Sequence, residues 1–219
     1  MSSKHPKKKI RILVTAGPTR EKIDPIRFIS NYSTGTFGYA VAYEAKRRGC
    51  KVVLISGPVS LDAPKGIKLI KVESALDMER SVMSEFPKAD CIMMAAAVAD
   101  WRASSIARHK IKKAAGGMVV KLTRNPDILK ELGRKKKNKI LVGFALETED
   151  LELNARKKLK SKGLDLVVAN RFSQDSGVFG DKKTEIMIID KYGCKTEVGA
   201  RTKAALAKII LDKALGINI

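Results

Sequence analysis

Six runs of nearly continuous apolar residues recur along the chain: "IRILVTA", "KVVLIS", "IKLIKV", "DCIMMAAAVAD", "KILVGFA" and "LDLVVAN". A strand with one wet face alternates apolar and polar residues, whereas these runs barely alternate. They fit strands covered on both faces. Helical stretches fall between them. One spans 38–48 and stops at Gly49, a C-cap residue. One spans 74–86 and opens on "SALD", a capping-box pattern. One spans 125–137, with Asn125 as N-cap and Pro126 at the first helical position. One spans 148–162, with acids early and bases late, matching the helix dipole. A last one spans 200–214. Strand, helix and strand repeated in this way predict an α/β fold with a mainly parallel, doubly wound sheet. "TEIMIID" and "CKTEVG" flank "KYG" and predict a late edge hairpin.

A chain of 219 residues is long enough for one full core. With no internal repeat and no long linker, the expectation is a basic N-terminal tail over 1–9 and a single domain over 10–219. No apolar stretch approaches membrane-span length. "MSSKHPKKKI" has no apolar h-region after it, so a secretory signal is not expected and the expected compartment is the cytoplasm. Cys50, Cys91 and Cys194 are scattered, and His5 and His109 lie far apart. Neither a zinc site nor a cysteine–histidine nucleophile fits that spacing. The charge is strongly unbalanced, with 44 Lys+Arg against 23 Asp+Glu, or +21. Such a field attracts polyanions, either nucleic acid or phosphorylated small molecules. Most of these lysines also fit solvated helix faces, and the aromatics do not interleave with the basic runs as in a single-strand stacking platform.

In a doubly wound sheet, ligands bind beyond the carboxyl ends of the strands. After the first strand comes a long polar insert, "TAGPTREKIDPIRFISNYSTGTFG". Gly35 and Gly38 bracket the expected helix start, where free N–H groups favour an anion. Ser33 and Thr34 are cap or donor candidates, Arg27 can pair bidentately with an anion, and Asn31 offers both a donor and an acceptor. The plain alternative is an ordinary capped helix behind a structured loop. "MAAAVADWR", 94–102, follows the fourth strand. Its small residues would let a flat ring lie against the backbone, with Ala95 and Ala96 reading its edge and Asp100 taking a sugar hydroxyl or a metal. Tight helix–sheet packing explains the alanines equally well. In "KIKK", Lys110 and Lys112 share a side, suited to a triphosphate or to solvent. Lys158 and Lys162, four apart on one helix face, would reach a site or complement the helix C-terminus. "LETED" and "RFSQDSGVFG" follow the remaining strands and should converge on the same end. The glycine fingerprint of nicotinamide enzymes and the P-loop are both absent.

In order and at compatible intervals, "TAGPTREKIDPIRFISNYSTGTFG", "AAAVADWR", "KIKK", "RNPDIL", "GFALET" and "DLVVAN" closely resemble the phosphopantothenate–cysteine ligases of coenzyme A synthesis. The resemblance runs from Ile10 to the last helix. It implies a Rossmann-like core, a homodimer, Mg2+, and CTP as co-substrate in the bacterial form. The implied chemistry is attack of the 4'-phosphopantothenate carboxylate on the α-phosphate, loss of pyrophosphate, and capture of the acyl-cytidylate by the amine of cysteine. The implied substrate-binding residues are Arg27, Asn31, Ser33, Gly35 and Gly38, with Asn31 at the activated acyl group. Met94 joins the nucleotide set, Ala95 and Ala96 would meet the cytosine, and Asp100 its sugar side. Lys110 would neutralise the triphosphate as charge builds. Pro126, Asp127, Ile128 and Leu129 begin a helix at the nucleotide, and Phe144, Lys158 and Lys162 complete the pocket.

Two positions depart from the family pattern. Thr36 stands where many relatives have lysine, and Thr184 where many have asparagine. The flavin-dependent decarboxylase half often fused ahead of such ligases is not seen before Ile10, so neither flavin nor decarboxylation is expected. The metal ligands are not legible. The alternatives are a basic Rossmann-like nucleic-acid-binding protein and a nucleotide-binding protein without catalysis, although neither nucleic acid nor membrane is expected as a partner.

Overall fold

The computed structural model describes residues 9–113, 117–172 and 182–216. In chain order the strands are β1 (Arg11–Ala16), β2 (Arg20–Lys22), β3 (Phe28–Ser30), β4 (Lys51–Ser56), β5 (Lys68–Lys71), β6 (Cys91–Met94), β7 (Trp101–Ala103), β8 (Leu122–Arg124), β9 (Ile140–Glu147), β10 (Leu166–Arg171), β11 (Thr184–Asp190) and β12 (Lys195–Arg201). The helices are α1 (Thr36–Arg47), α2 (Ala75–Glu85), α3 (Ile128–Lys135), α4 (Leu151–Ser161) and α5 (Lys203–Gly216). Eight strands form one sheet in the order β12-β11-β10-β9-β6-β1-β4-β5, and all run in one direction except β11, which pairs antiparallel with both β10 and β12.

Both faces of this sheet are covered, as the apolar runs require. Ile12, Val14 and Ala16 of β1 face a core shared with α1 and α5, including Tyr39, Val41, Leu206 and Ile210. Leu13, between them, faces the other core with α2, α3 and α4, through Met78, Leu132 and Ala155. Each of these larger side chains contributes roughly 1.5–3 kcal/mol by leaving water. The hairpin of β11 and β12 lies at one edge, as the sequence predicts. Arg48, just past α1, clasps α5 by pairing with Asp212 at 2.8 Å and donating to the carbonyl of Lys208 at 2.9 Å.

Helix boundaries follow local hydrogen bonding. Ser74 and Asp77 form the predicted capping box of α2. The start of α3 differs from the sequence reading. Asp127, not Asn125, is the N-cap, and its carboxylate accepts the N–H of Lys130 at 3.0 Å. Asp127 lies two residues nearer the helix, and Asn125 bonds elsewhere. The last helix begins at Lys203 rather than 200 because β12 runs on to Arg201. Of the two departures from the family pattern, Thr36 opens α1 and Thr184 is buried at the start of β11. The tail residues 1–8 and most of "RFSQDSGVFG" lie outside the described residues. Among the described residues, no helix is long and apolar enough to cross a membrane.

The chain leaves β1 to build β4 and β5 on one side, then returns to place β6, β9 and β10 on the other. The strand order therefore reverses between β1 and β6. Two short ribbons, β2 with β3 and β7 with β8, hang beyond that end of the sheet.

Candidate active site

Beside this switch point a cleft of about 440 Å³ opens at the ends of β6 and β9. One wall is the chain leaving β6, with Met94, Ala96, Val98, Ala99, Asp100 and Trp101. The facing wall is Arg124 to Leu129 at the start of α3, and Phe144, Lys158 and Lys162 form the floor. Met94, Ala96, Asp100, Pro126, Asp127, Ile128, Leu129, Phe144, Lys158 and Lys162 are thus brought together, as the resemblance implied.

Two of the expected nucleotide residues, Ala95 and Lys110, do not line the cleft. The N–H of Ala95 turns back to the carbonyl of Met93 at 3.2 Å. The N–H of Ala96 is also committed, to the hydroxyl of Thr15 at 3.1 Å. Of the backbone groups of these two residues, the N–H groups are therefore already bonded within the chain. Lys110 is exposed on the segment beside the insert, because the next residue is anchored there: the N–H of Ile111 donates to Asp24 at 3.1 Å.

The cations of the cleft are held differently from one another. The Lys158 amine donates to the carbonyl of Phe144 at 2.6 Å. Burial pushes it below the ordinary lysine value; Glu147 opposes that shift and Lys162 adds to it. Lys162 pairs with Asp127 across the cleft mouth. Burial alone would raise the Asp127 carboxyl, but Lys162 and the N–H of Lys130 hold it below the usual carboxylate range. Arg124 stacks its guanidinium over Trp101, 5.3 Å from the ring centre.

The insert is built as a rigid bracket. Asp24, 1% exposed, accepts the N–H groups of Ile26 and Arg27 at 2.8 Å each, and Arg27 Nη1 at 3.0 Å. Burial would raise this carboxyl, but those N–H groups, that of Ile111 and the Arg27 charge outweigh it and lower it. Arg27 also donates to the carbonyl of Ile111 at 3.2 Å. Through Nη1 it steadies the loop, while the side chain stays 35% exposed.

Asn31 follows β3 directly and donates through Nδ2 to the carbonyls of Ala97 and Val98, at 3.3 and 3.2 Å. Two carbonyl partners fix the amide orientation, so Oδ1 points away from them. Ser33 accepts the N–H of Gly35 at 3.3 Å. Gly35 itself is the N-cap of α1, at φ 76, a left-handed conformation that glycine adopts without penalty. Of the two roles open to Ser33 and Thr34, cap or donor, the capping position falls to Gly35 instead. Gly38 is buried against β1: a Cβ there would lie 2.5 Å from that of Ala16 and 2.7 Å from the Thr15 carbonyl. The missing side chain there lets α1 pack closely on β1.

Sequence reasoning missed Val98, Ala99, Trp101, Arg124 and Asn125 as cleft lining. All five stand inside "AAAVADWR" or "RNPDIL", and their neighbours Asp100 and Pro126 were the available signal. Among the described residues, no cluster of three or more metal-ligating side chains exists.

A doubly wound sheet with a cleft at its switch point belongs to the class of α/β proteins that bind ligands beyond the carboxyl ends of their strands. Comparison with known proteins narrows that class. Over residues 7–217 the chain matches the DNA/pantothenate metabolism flavoprotein C-terminal domain, and it belongs to that family. It is 48% identical over 208 residues to the coenzyme A biosynthesis bifunctional protein CoaBC of Bacillus subtilis (strain 168), covering 94% of this chain and 51% of the relative. The chain thus spans about half the length of the curated relatives it matches. The solved C-terminal domain of a CoaBC superposes with a TM-score of 0.82 at 39% identity, covering 95% of both chains. A Cab2 H337A mutant in complex with phosphopantothenate-cysteine shares the fold, with a TM-score of 0.75 at 18% identity, over 95% of this chain and 88% of that one.

Proposed function

We propose that this chain ligates 4'-phosphopantothenate to L-cysteine with CTP, through an acyl-cytidylate, in the cytoplasm. The observation that carries the reading is the adjacency of two parts. A cleft with Lys158 and Lys162 on its floor shares a wall with the polar insert, and Asn31 bonds directly to that wall. An acyl substrate on the insert and a nucleotide in the cleft would meet at the chain 95–100. Membership of the family and the likeness to CoaBC support the reading, and the Cab2 variant of the same fold was solved with the amide product this reaction would give.

In the first step a carboxylate oxygen of phosphopantothenate bonds to the α-phosphorus, and the bond to pyrophosphate breaks. Negative charge grows on the leaving group, and Lys162, Lys158 and, from the insert side, Lys110 supply the compensating field. In the second step the uncharged amine of cysteine attacks the acyl carbon, CMP leaves, and the amide nitrogen loses a proton. Asn31 Oδ1, left open by the orientation of its amide, is placed to accept an N–H of that amine. A magnesium ion fits this donor set. Such an ion commonly takes one or two carboxylates and completes its shell with water and substrate phosphates. Asp100 is the cleft carboxylate not engaged by a lysine, and would hold either that ion or the sugar. When bound, the ion would draw charge from the phosphates.

The same reading carries a homodimer. Ile26, Phe28, Trp101 and Leu122, all at least 40% exposed on the two ribbons, are the apolar surface that a second copy would cover. Light scattering before and after Phe28→Glu tests that pairing.

The experiment that tests the function is pyrophosphate release, with each component omitted in turn and with ATP in place of CTP. Release that needs phosphopantothenate but not cysteine, and that favours CTP, is expected. Release without phosphopantothenate would overturn the reading. Binding of generic RNA at near-physiological salt, with no release at all, would replace it with the nucleic-acid alternative.

A further inference from the structure

The wall shared by insert and cleft cannot hold itself in place. The chain 95–99 reads Ala-Ala-Ala-Val-Ala, so it carries no polar side chain of its own. It has also left the sheet, since the pairing of β6 with both β1 and β9 ends at Met94. Its backbone groups must find partners elsewhere. At Ala99, 4% exposed, both are taken by side chains from opposite directions. The hydroxyl of Thr19, fully buried in the insert, accepts the Ala99 N–H at 3.0 Å. Nδ2 of Asn125, from the facing wall, donates to the Ala99 carbonyl at 2.8 Å. The Asn125 N–H donates to the carbonyl of Asp100, also at 2.8 Å. Arg102 fixes the orientation of the Asn125 amide, donating to its Oδ1 at 3.0 Å.

We infer that Thr19 and Asn125 are positioning residues for the nucleotide, acting through Ala99 to set Asp100 and the width of the cleft. The inference rests on the proposed ligase reading. Small residues let a flat base approach the wall; fastening them from both sides keeps that approach at one distance. Neither side chain need touch a reacting atom. Because both act on one residue, their effects should not add.

The test compares Thr19→Val, Thr19→Ser, Asn125→Asp and the Thr19→Val/Asn125→Asp pair. Affinity for CTP is measured by calorimetry, and KM and kcat for each substrate by pyrophosphate release. Thr19→Val leaves the buried Ala99 N–H without its acceptor. Asn125→Asp keeps the acceptor for Arg102 but removes the donor to Ala99. Each is expected to weaken CTP about tenfold, the cost of one hydrogen bond lost at a buried group. The KM for cysteine should stay put, Thr19→Ser should restore affinity, and the pair should weaken CTP by much less than the product of its members. Variants that melt lower yet bind CTP as tightly as the parent would overturn the inference and leave the ligase reading standing. Failure of the parent itself to bind CTP or release pyrophosphate would overturn both. Should Thr19→Val not fold, half-buried Asn125→Asp decides the matter alone.

Discussion

Two acid–base pairs flank the candidate site, and they are built for different work. Asp24 and Arg27 lie inside the insert, with the carboxylate fully enclosed and its oxygens taken by three backbone N–H groups and a guanidinium. Asp127 and Lys162 lie at the mouth of the cleft, with side chains 43% and 26% exposed. In the first pair the carboxylate is out of water, so parting it from its partner would leave an uncompensated buried charge, although the Arg27 side chain itself is 35% exposed. A half-exposed pair of the second kind has little to lose, since such pairs contribute roughly 0–1 kcal/mol. A phosphate entering the cleft would therefore part Lys162 from Asp127 at little cost, whereas parting Arg27 from Asp24 would strand a buried carboxylate. Basic residues near a site are not equivalent anion binders; what already holds them decides.

The comparison can be broken most severely at Lys110, which Asp24 positions at one remove through Ile111. Lys110→Ala is expected to slow pyrophosphate release by about 100- to 1,000-fold, the usual loss for one charge-stabilising donor. Near-normal release would make it a solvated lysine and the Asp24 bracket a purely local brace. Next comes the bracket itself. Asp24→Asn turns an amide toward backbone N–H groups that need an acceptor, so kcat/KM should fall on the order of tenfold to a hundredfold. Calorimetric affinity for CTP should change far less, because the cleft is built from other elements.

A smaller effect is expected at Lys158. Its amine sits below the ordinary lysine value, first through burial, so the folded chain holds that proton less tightly than the unfolded chain does. Stability should accordingly rise with pH across the window between the lowered folded value and the unfolded value of about 10.4. Lys158→Met should flatten that alkaline rise in Tm and weaken CTP about tenfold; an unchanged pH slope would show the amine to be solvated. The smallest effect is expected at Asp127→Asn. Asparagine caps a helix as well as aspartate does, so only the pair with Lys162 is lost. Affinity for CTP should change by no more than about fivefold, and a larger loss would mean that Asp127 contacts the ligand directly.

The six apolar runs were legible because burial on both faces leaves a continuous signal, and each of them became a strand of the main sheet. The ribbons were not legible. Three residues such as Trp101–Ala103 or Phe28–Ser30 show no period, and their pairing is set by the insert and by the chain 95–100, which are remote in sequence. The start of α3 was misplaced because Asn125 and Asp127 are both good caps, and only the fold shows that Asn125 is engaged by Ala99 and Arg102. Likewise, motifs placed Ala95 and Ala96 at the site, but no motif reports that their N–H groups are already occupied by Met93 and Thr15. Composition marks where a site lies; it does not mark which of its hydrogen bonds remain open.

The clasp of Arg48 on α5 joins the first helix to the last across 164 residues. The face of β1 carrying Val14 and Ala16 is completed by α5 side chains such as Leu206 and Ile210, made only after every strand of the sheet. During translation the β1–α1 unit must therefore wait, with part of its apolar face uncovered, until α5 leaves the ribosome. Contacts so distant in sequence slow folding and leave intermediates open to aggregation. A fold closed in this way is governed in the cell as much by the time its β1–α1 unit spends unpaired as by the stability it finally reaches.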